Sequence, residues 1–126
     1  MSELKPCQVD AWKLISRIKK LRRCADLTYG ETAQFLEMKK REYWAIECGE
    51  AMLTYGTLFA FTNELIGGDV ADIFTTEGCK RLSERALRLG DMVRTLRRKG
   101  AGAQTIIAAI EAKRFQEQME LKEARG

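Results

Sequence analysis

Arg81, Arg85 and Arg88 carry the plainest chemical signal in the chain. At i, i+4 and i+7 they share one face of a helix and repel one another. An anionic partner relieves that repulsion, whether DNA phosphate or an acidic protein surface. The alternative is a solvated polar face with no partner. The wider charge balance points to the same region. Residues 1–76 carry ten Lys/Arg against eleven Asp/Glu, residues 77–99 eight against three, and residues 100–126 four against four. The formal net charge of +4 therefore comes from one segment.

Catalytic chemistry has little to stand on. The chain has no histidine, the commonest general base near neutral pH. It has no GxSxG, no P-loop and no paired carboxylates at a strand end, so the expectation is a protein that is not an enzyme and needs no cofactor. Cys7, Cys24, Cys48 and Cys79 are scattered, with no CxxC pair, and read as reduced thiols rather than metal ligands or a disulfide framework.

These residues must be held by helices. At 126 residues with a single proline, the chain is long enough for one compact domain with an appendage. Frequent Ala, Leu, Lys, Arg and Glu favour helix, and no segment alternates as a strand does, so the fold class is all-α. No run approaches the roughly 20 apolar residues of a membrane span, and Met1–Asp10 lacks a signal-peptide core. The expected compartment is the cytoplasm, with no membrane partner.

A first helix is expected from Asp10, capped by that side chain, after a tail over 1–9. Leu14, Ile15, Ile18 and Leu21 form its apolar face, with Lys13, Arg17, Lys19, Lys20, Arg22 and Arg23 on the other faces. Thr28 and Glu31 form a capping box that opens a second helix, closed at Leu36. A third helix carries Tyr43 and Ile46 inward and ends at Glu47-Cys48-Gly49. A fourth is expected from Thr54 to Leu65, burying Tyr55, Leu58, Phe59, Phe61 or Thr62, and Leu65, and stopped by Gly67-Gly68. Asp69 caps a short fifth helix that buries Val70, Ile73 and Phe74.

Beyond residue 76 the pattern changes. Leu82, Ala86, Leu89, Val93 and Leu96 repeat at spacings of four, three, four and three, a heptad seam that one helix alone cannot hide. Its partner is either the same helix of a second subunit or another helix of its own chain. Gly100-Ala101-Gly102 breaks the run, and a last helix follows from about Ala103 with Ile106, Ile107 and Ile110 early and a charged, fraying end after Glu117. Residues 77–126 are thus a helical hairpin on the first module or a dimerisation arm.

The series Thr28, Glu31, Ala33, Leu36, Met38, Tyr43 and Ile46, within DLTYGETAQFLEMKKREYWAIECGE, resembles the phage-repressor (Cro-type, XRE) helix-turn-helix family. The resemblance covers residues 16–74. It implies a five-helix DNA-binding domain over residues 10–76 and a homodimer on double-stranded operator DNA. The function it implies is transcription regulation of bacterial, phage or mobile-element type. In that family the second helix of the motif enters the major groove. The positions that carry over are Lys39, Lys40 and Arg41 for guanine edges or phosphate, Ala45 one turn later, and Tyr29 for phosphate, with Arg17 and Lys20 assisting. Trp44 falls on an exposed flank. This sequence departs from the family in having Glu37 where the turn usually holds glycine, at a cost of about 1 kcal/mol for a left-handed backbone. Lys39 replaces the usual Ser or Thr cap, Glu42 would repel phosphate, and LIGGDVADIF is one residue longer. A different function on the same fold is a protein-interaction module, such as a phage-encoded inhibitor or a small-terminase-like subunit, using the C-terminal helices for a protein partner.

Overall fold

The computed structural model describes residues 6–125, with side chains from Ala11. Among these residues the fold is all-helical. It comprises α1 (Pro6–Cys24), α2 (Tyr29–Phe35), α3 (Lys40–Glu47), α4 (Tyr55–Phe59), a π-helical segment (Ala60–Ile66), a 3-10 helix (Val70–Phe74), α5 (Thr76–Arg98) and α6 (Ala103–Arg125).

α1 begins four residues before the expected start, so Asp10 lies inside it and is not its cap. Proline suits the first helical position, where a missing N–H costs nothing. Residues 1–5 of the expected tail, and the Cys7 side chain, lie outside the described residues. α1 closes through bonds from Asp26 N to Arg23 O and from Leu27 N to Arg22 O. Asp26 takes a left-handed backbone there, with φ 58°.

The motif around α2 forms as its sequence dictates. Thr28 Oγ1 accepts from Glu31 N at 3.1 Å, and the Glu31 carboxylate accepts from Thr28 N at 3.0 Å. Ala33 is buried, Leu36 ends the helix, and Met38 packs partly buried against the core. Glu37 does adopt the left-handed conformation, φ 58°.

The fourth helix departs from expectation. It starts under the Thr54 cap, but from Ala60 it widens into a π-helix. Tyr55 and Phe59 precede that change and lie on the outer side of α4, whose buried residue is Leu58. Leu58, Phe61, Thr62 and Leu65 are buried, whereas Tyr55 and Phe59 are exposed and pair with each other at 6.3 Å between ring centroids. Gly67 ends the segment at φ 86°, and a β-carbon there would collide with the Arg114 guanidinium. The fifth helix is 3-10, not α. With three residues per turn, Val70 and Ile73 eclipse on the inner face while Phe74 turns outward and is 53% exposed.

The heptad seam is filled by its own chain. Leu82, Ala86, Leu89 and Val93 are all fully buried and Leu96 is half-buried. α5 lies chiefly against α1 and the 3-10 helix, and α6 against α2 and the π-segment, so neither relies mainly on the other. One apolar core joins Ile18 and Leu21 of α1, Phe61, Leu65 and Ile73 of the middle elements, and Leu89 and Ile110 of the C-terminal helices. It runs across residue 76 without a break. Gly90 allows the tight crossing, since a β-carbon there would sit inside the contact radius of the Cys24 carbonyl oxygen.

Candidate nucleic-acid interface

α3 places its cations on the outside for a simple reason. Tyr43 and Ile46 occupy positions one turn apart and are buried, so the positions between them and before them turn to solvent. Lys39, Lys40 and Arg41 are exposed, Trp44 is 41% exposed and Ala45 is half-buried. The Lys40 stem passes Gly30 on α2, 3.8 Å from the position a β-carbon would take. Glu42 is not simply an obstacle to an anion. Its carboxylate accepts from Lys39 N at 3.4 Å, the reciprocal half of a capping box, while the Lys39 side chain makes no cap bond of its own.

The back of α3 is fixed by a buried ion pair. Arg22 Nε donates to Glu47 Oε2 at 2.6 Å and Arg22 Nη2 to Glu47 Oε1 at 3.2 Å. Arg22 Nη1 also donates to Leu27 O at 2.7 Å, and the guanidinium lies 4.3 Å from the centroid of the Tyr29 ring. One arginine thereby binds the end of α1, the start of α2 and the end of α3. Burial works against its charge, but the bonds and charge of Glu47 hold its pKa above the ordinary arginine value. Tyr43 packs beside this pair with its hydroxyl buried and without a well-formed hydrogen bond. Burial and then the Glu47 carboxylate push its phenol far above the ordinary range, so it stays protonated. At the far end of α3, Trp12 lies against Gly49.

A second ion pair holds α2. Arg97 of α5 donates to both Glu31 oxygens, at 2.7 and 2.9 Å, and to Asp26 O at 2.6 Å. Burial alone would raise the Glu31 pKa; the Arg97 bonds and the Thr28 amide outweigh it and hold the carboxyl below its usual value. Arg114 of α6 supplies a third clamp, donating to the carbonyls of Glu64, Leu65 and Ile66 at 3.2, 3.0 and 2.8 Å. These are orphan acceptors at a helix end, which a cation satisfies well. Burial lowers the Arg114 pKa, with Glu117 opposing.

The expected site residues are only partly gathered. Lys40, Arg41, Trp44 and Ala45 share α3, Lys39 is the residue just before it, and Tyr29 stands next to it, its ring 6.4 Å from that of Tyr43. Tyr29 is half-buried under Arg22 and also borders Arg23 and Arg97. Arg17 and Lys20 do not join this surface. They line a groove of about 490 Å³ between α1 and α5, with Thr76, Cys79, Lys80 and Ser83. Arg17 Nη1 there donates to Ile73 O at 2.6 Å, closing the 3-10 helix. α5 runs alongside that side of α1, and the groove lies between the two helices.

The Arg81, Arg85, Arg88 face is also changed. Arg81 Nη2 bonds Asp72 Oδ1 at 2.8 Å, and this pairing holds the Asp72 carboxyl below its usual value and the Arg81 guanidinium above its own. Arg85 and Arg88 remain exposed. Among the described residues no three His, Cys, Asp or Glu side chains converge as a metal site, and no helix is long and apolar enough to cross a membrane. Cys24, Cys48 and Cys79 are free thiols.

Sequence reasoning missed Arg22, Glu47 and Arg97 as structural ion-pair partners. A signal was present for two of them. Arg22 stands four residues after Ile18 and seven after Ile15, and Glu47 four after Tyr43, so both fall on buried stripes. Opposite charges on two inward faces are a pairing signal. Comparisons with protein-family models, curated proteins and solved structures return no match.

Proposed function

We propose that the chain is a DNA-binding regulator of transcription, of the kind bacteria, phages and mobile elements carry, and that α3 is its reading helix. The observation that carries this reading is the run of three consecutive exposed cations at the start of α3, on a helix braced from behind by Arg22 and Glu47. A rigid helix fits the width of the major groove, and bracing keeps base contacts within hydrogen-bond tolerance. Arg41 and Lys40 would reach guanine O6 and N7, the Ala45 methyl would meet a thymine methyl, and Lys39 with Tyr29 would grip phosphate. Arg85 and Arg88 supply a second, sequence-independent contact with the backbone. No cofactor enters this reading, and its compartment is the cytoplasm. The homodimer it implies uses a surface other than the 82–96 seam, which the chain itself fills.

A protein-interaction role on the same fold has its own support. Tyr55, Phe59 and Phe74 are exposed at 65%, 39% and 53%, and Tyr55 and Phe74 border one apolar groove with Leu53 and Leu58. Exposed aromatics are enriched where proteins dock. Selection of duplexes from a random pool separates the two. The DNA reading expects enrichment of a guanine-containing sequence, lost in a Lys40→Ala/Arg41→Ala variant because a bidentate contact contributes about 1–3 kcal/mol of discrimination. Enrichment that survives the double substitution removes α3 as the reading helix, and no enrichment at low salt leaves the protein-interaction role.

A further inference from the structure

We propose that α6 is a self-docking helix, on which a second copy of this chain packs antiparallel through Ala108, Ala112, Phe115 and Met119. These four positions repeat at spacings of four, three and four and fall within about 60° of one another around the helix. They lie opposite Ile106, Ile107 and Ile110, which bury into the core. All four are exposed, Phe115 at 65% and Met119 at 43%. The second half of α6 extends past the body, with every residue from Gln118 to Arg125 exposed. Such a helix carries two apolar faces, and only one is used within the chain.

The occupant follows from the order of residue sizes along the stripe. It runs small, small, large, large. In an antiparallel two-fold arrangement, Phe115 of one copy covers Ala112 of the other, and Met119 covers Ala108. Each bulky side chain meets a small one, so the seam fills evenly. A parallel arrangement would set Phe115 against Phe115 and leave Ala108 facing Ala108 across a gap. The same two-fold makes one patch complementary to itself, as an isologous interface requires.

Charge and space agree with this pairing. Residues 103–125 hold four Lys/Arg and four Asp/Glu, so two copies of the helix carry no net repulsion. Along the flanks of the stripe, Glu111 faces Gln116, Gln104 faces Glu123 and Lys122 faces Thr105, with no like charges opposed. Lys113 and Arg114, which the same register sets level, are half-buried on the side away from the seam. The far end of one helix would pass Gly102 and Gly100 of the other, and nothing lies within 4 Å of a β-carbon built on either glycine. Four side chains cover less than the roughly 800 Å² per partner of a standard interface, so the dimer is reversible, micromolar or weaker.

Sedimentation of the full chain without DNA tests this, and its outcome is independent of the DNA reading. The wild type should move with concentration from the 14.4 kDa monomer toward twice that mass. Phe115→Asp should keep it monomeric at every concentration. Both side chains of the large end are exposed, so a thermal melt of the variant should match the wild type and separate lost docking from lost folding. Direction is read by spin labels on Lys122→Cys, in a chain whose native cysteines are serine. An antiparallel pair sets residues 122 about 25 Å apart along the axis, from 17 residues at 1.5 Å each, and a parallel pair about 10 Å. A wild type monomeric at its highest attainable concentration, a dimer indifferent to Phe115→Asp, or a separation near the shorter distance would each overturn the proposal.

Discussion

Replacing Glu47 with Gln should be among the most damaging single changes at any charged position in this protein. Glu47 is 7% exposed and Arg22 likewise 7%, and the two share bonds of 2.6 and 3.2 Å. Glutamine keeps the shape and one acceptor oxygen but removes the charge, and its amide NH2 sets a donor against a donor. The buried guanidinium loses its counter-ion and keeps only neutral acceptors beside the Leu27 carbonyl and the Tyr29 ring. Breaking one side of a buried pair costs about 3–5 kcal/mol. For a chain of this length each kcal/mol lowers Tm by roughly 3–5 °C, so the drop should be roughly 10–25 °C. A companion variant, Arg22→Met/Glu47→Met, removes both charges and should recover most of that loss, because desolvation offsets much of the attraction in a buried pair. Urea melts of the two variants against wild type, read by circular dichroism, give the comparison. A Glu47→Gln loss below about 1 kcal/mol, or a double variant as unstable as the single one, would refute the claim that this pair braces α3.

Three further changes probe other joints of the fold. Gly90→Ala should destabilise by about 1–3 kcal/mol, since its methyl must push α5 away from the Cys24 carbonyl; an unchanged melt would mean the crossing is looser than it stands. Glu37→Gly should stabilise by about 1 kcal/mol, because the left-handed backbone at φ 58° suits glycine, and a lower Tm would contradict this. The Glu31 carboxyl sits below its ordinary 4.5, so its stabilising effect is present above that pH and is lost as pH falls through its folded pKa. The stability gap between wild type and Arg97→Met should therefore narrow in acid, leaving only the part due to the Asp26 carbonyl bond, and a gap constant from pH 7 into that acid range would remove the pairing as its cause.

What could be read from the chain was what is encoded locally. The Thr28–Glu31 box lies within four residues, and the structure forms it as written. The seam from Leu82 to Leu96 announced a buried stripe, but a stripe does not say what covers it. Its cover proved to be α1 and the 3-10 helix, reached through the close approach at Gly90. Phe74 was misplaced because an α-helical period was applied to a 3-10 segment, and Tyr55 and Phe59 because the inward face of α4 was read too wide when Leu58 is its buried residue. Nothing in residues 60–66 marks the π-turn; Arg114, fifty residues away, satisfies the carbonyls at its end. The α3 cations were legible as exposed because Tyr43 and Ile46 fix the inner face. The bond from Arg17 to the Ile73 carbonyl was not legible, because it joins residues 56 positions apart.

The salt dependence of duplex binding tests the central claim most directly. Affinity for a selected duplex should fall as salt rises, with a log–log slope of about 0.9 for each phosphate neutralised. Arg85→Gln/Arg88→Gln should flatten that slope while preserving sequence preference, and Lys40→Ala/Arg41→Ala should erase the preference between selected and scrambled duplexes. A wild-type protein that binds both duplexes equally at every salt concentration, or neither at low salt, would contradict the account.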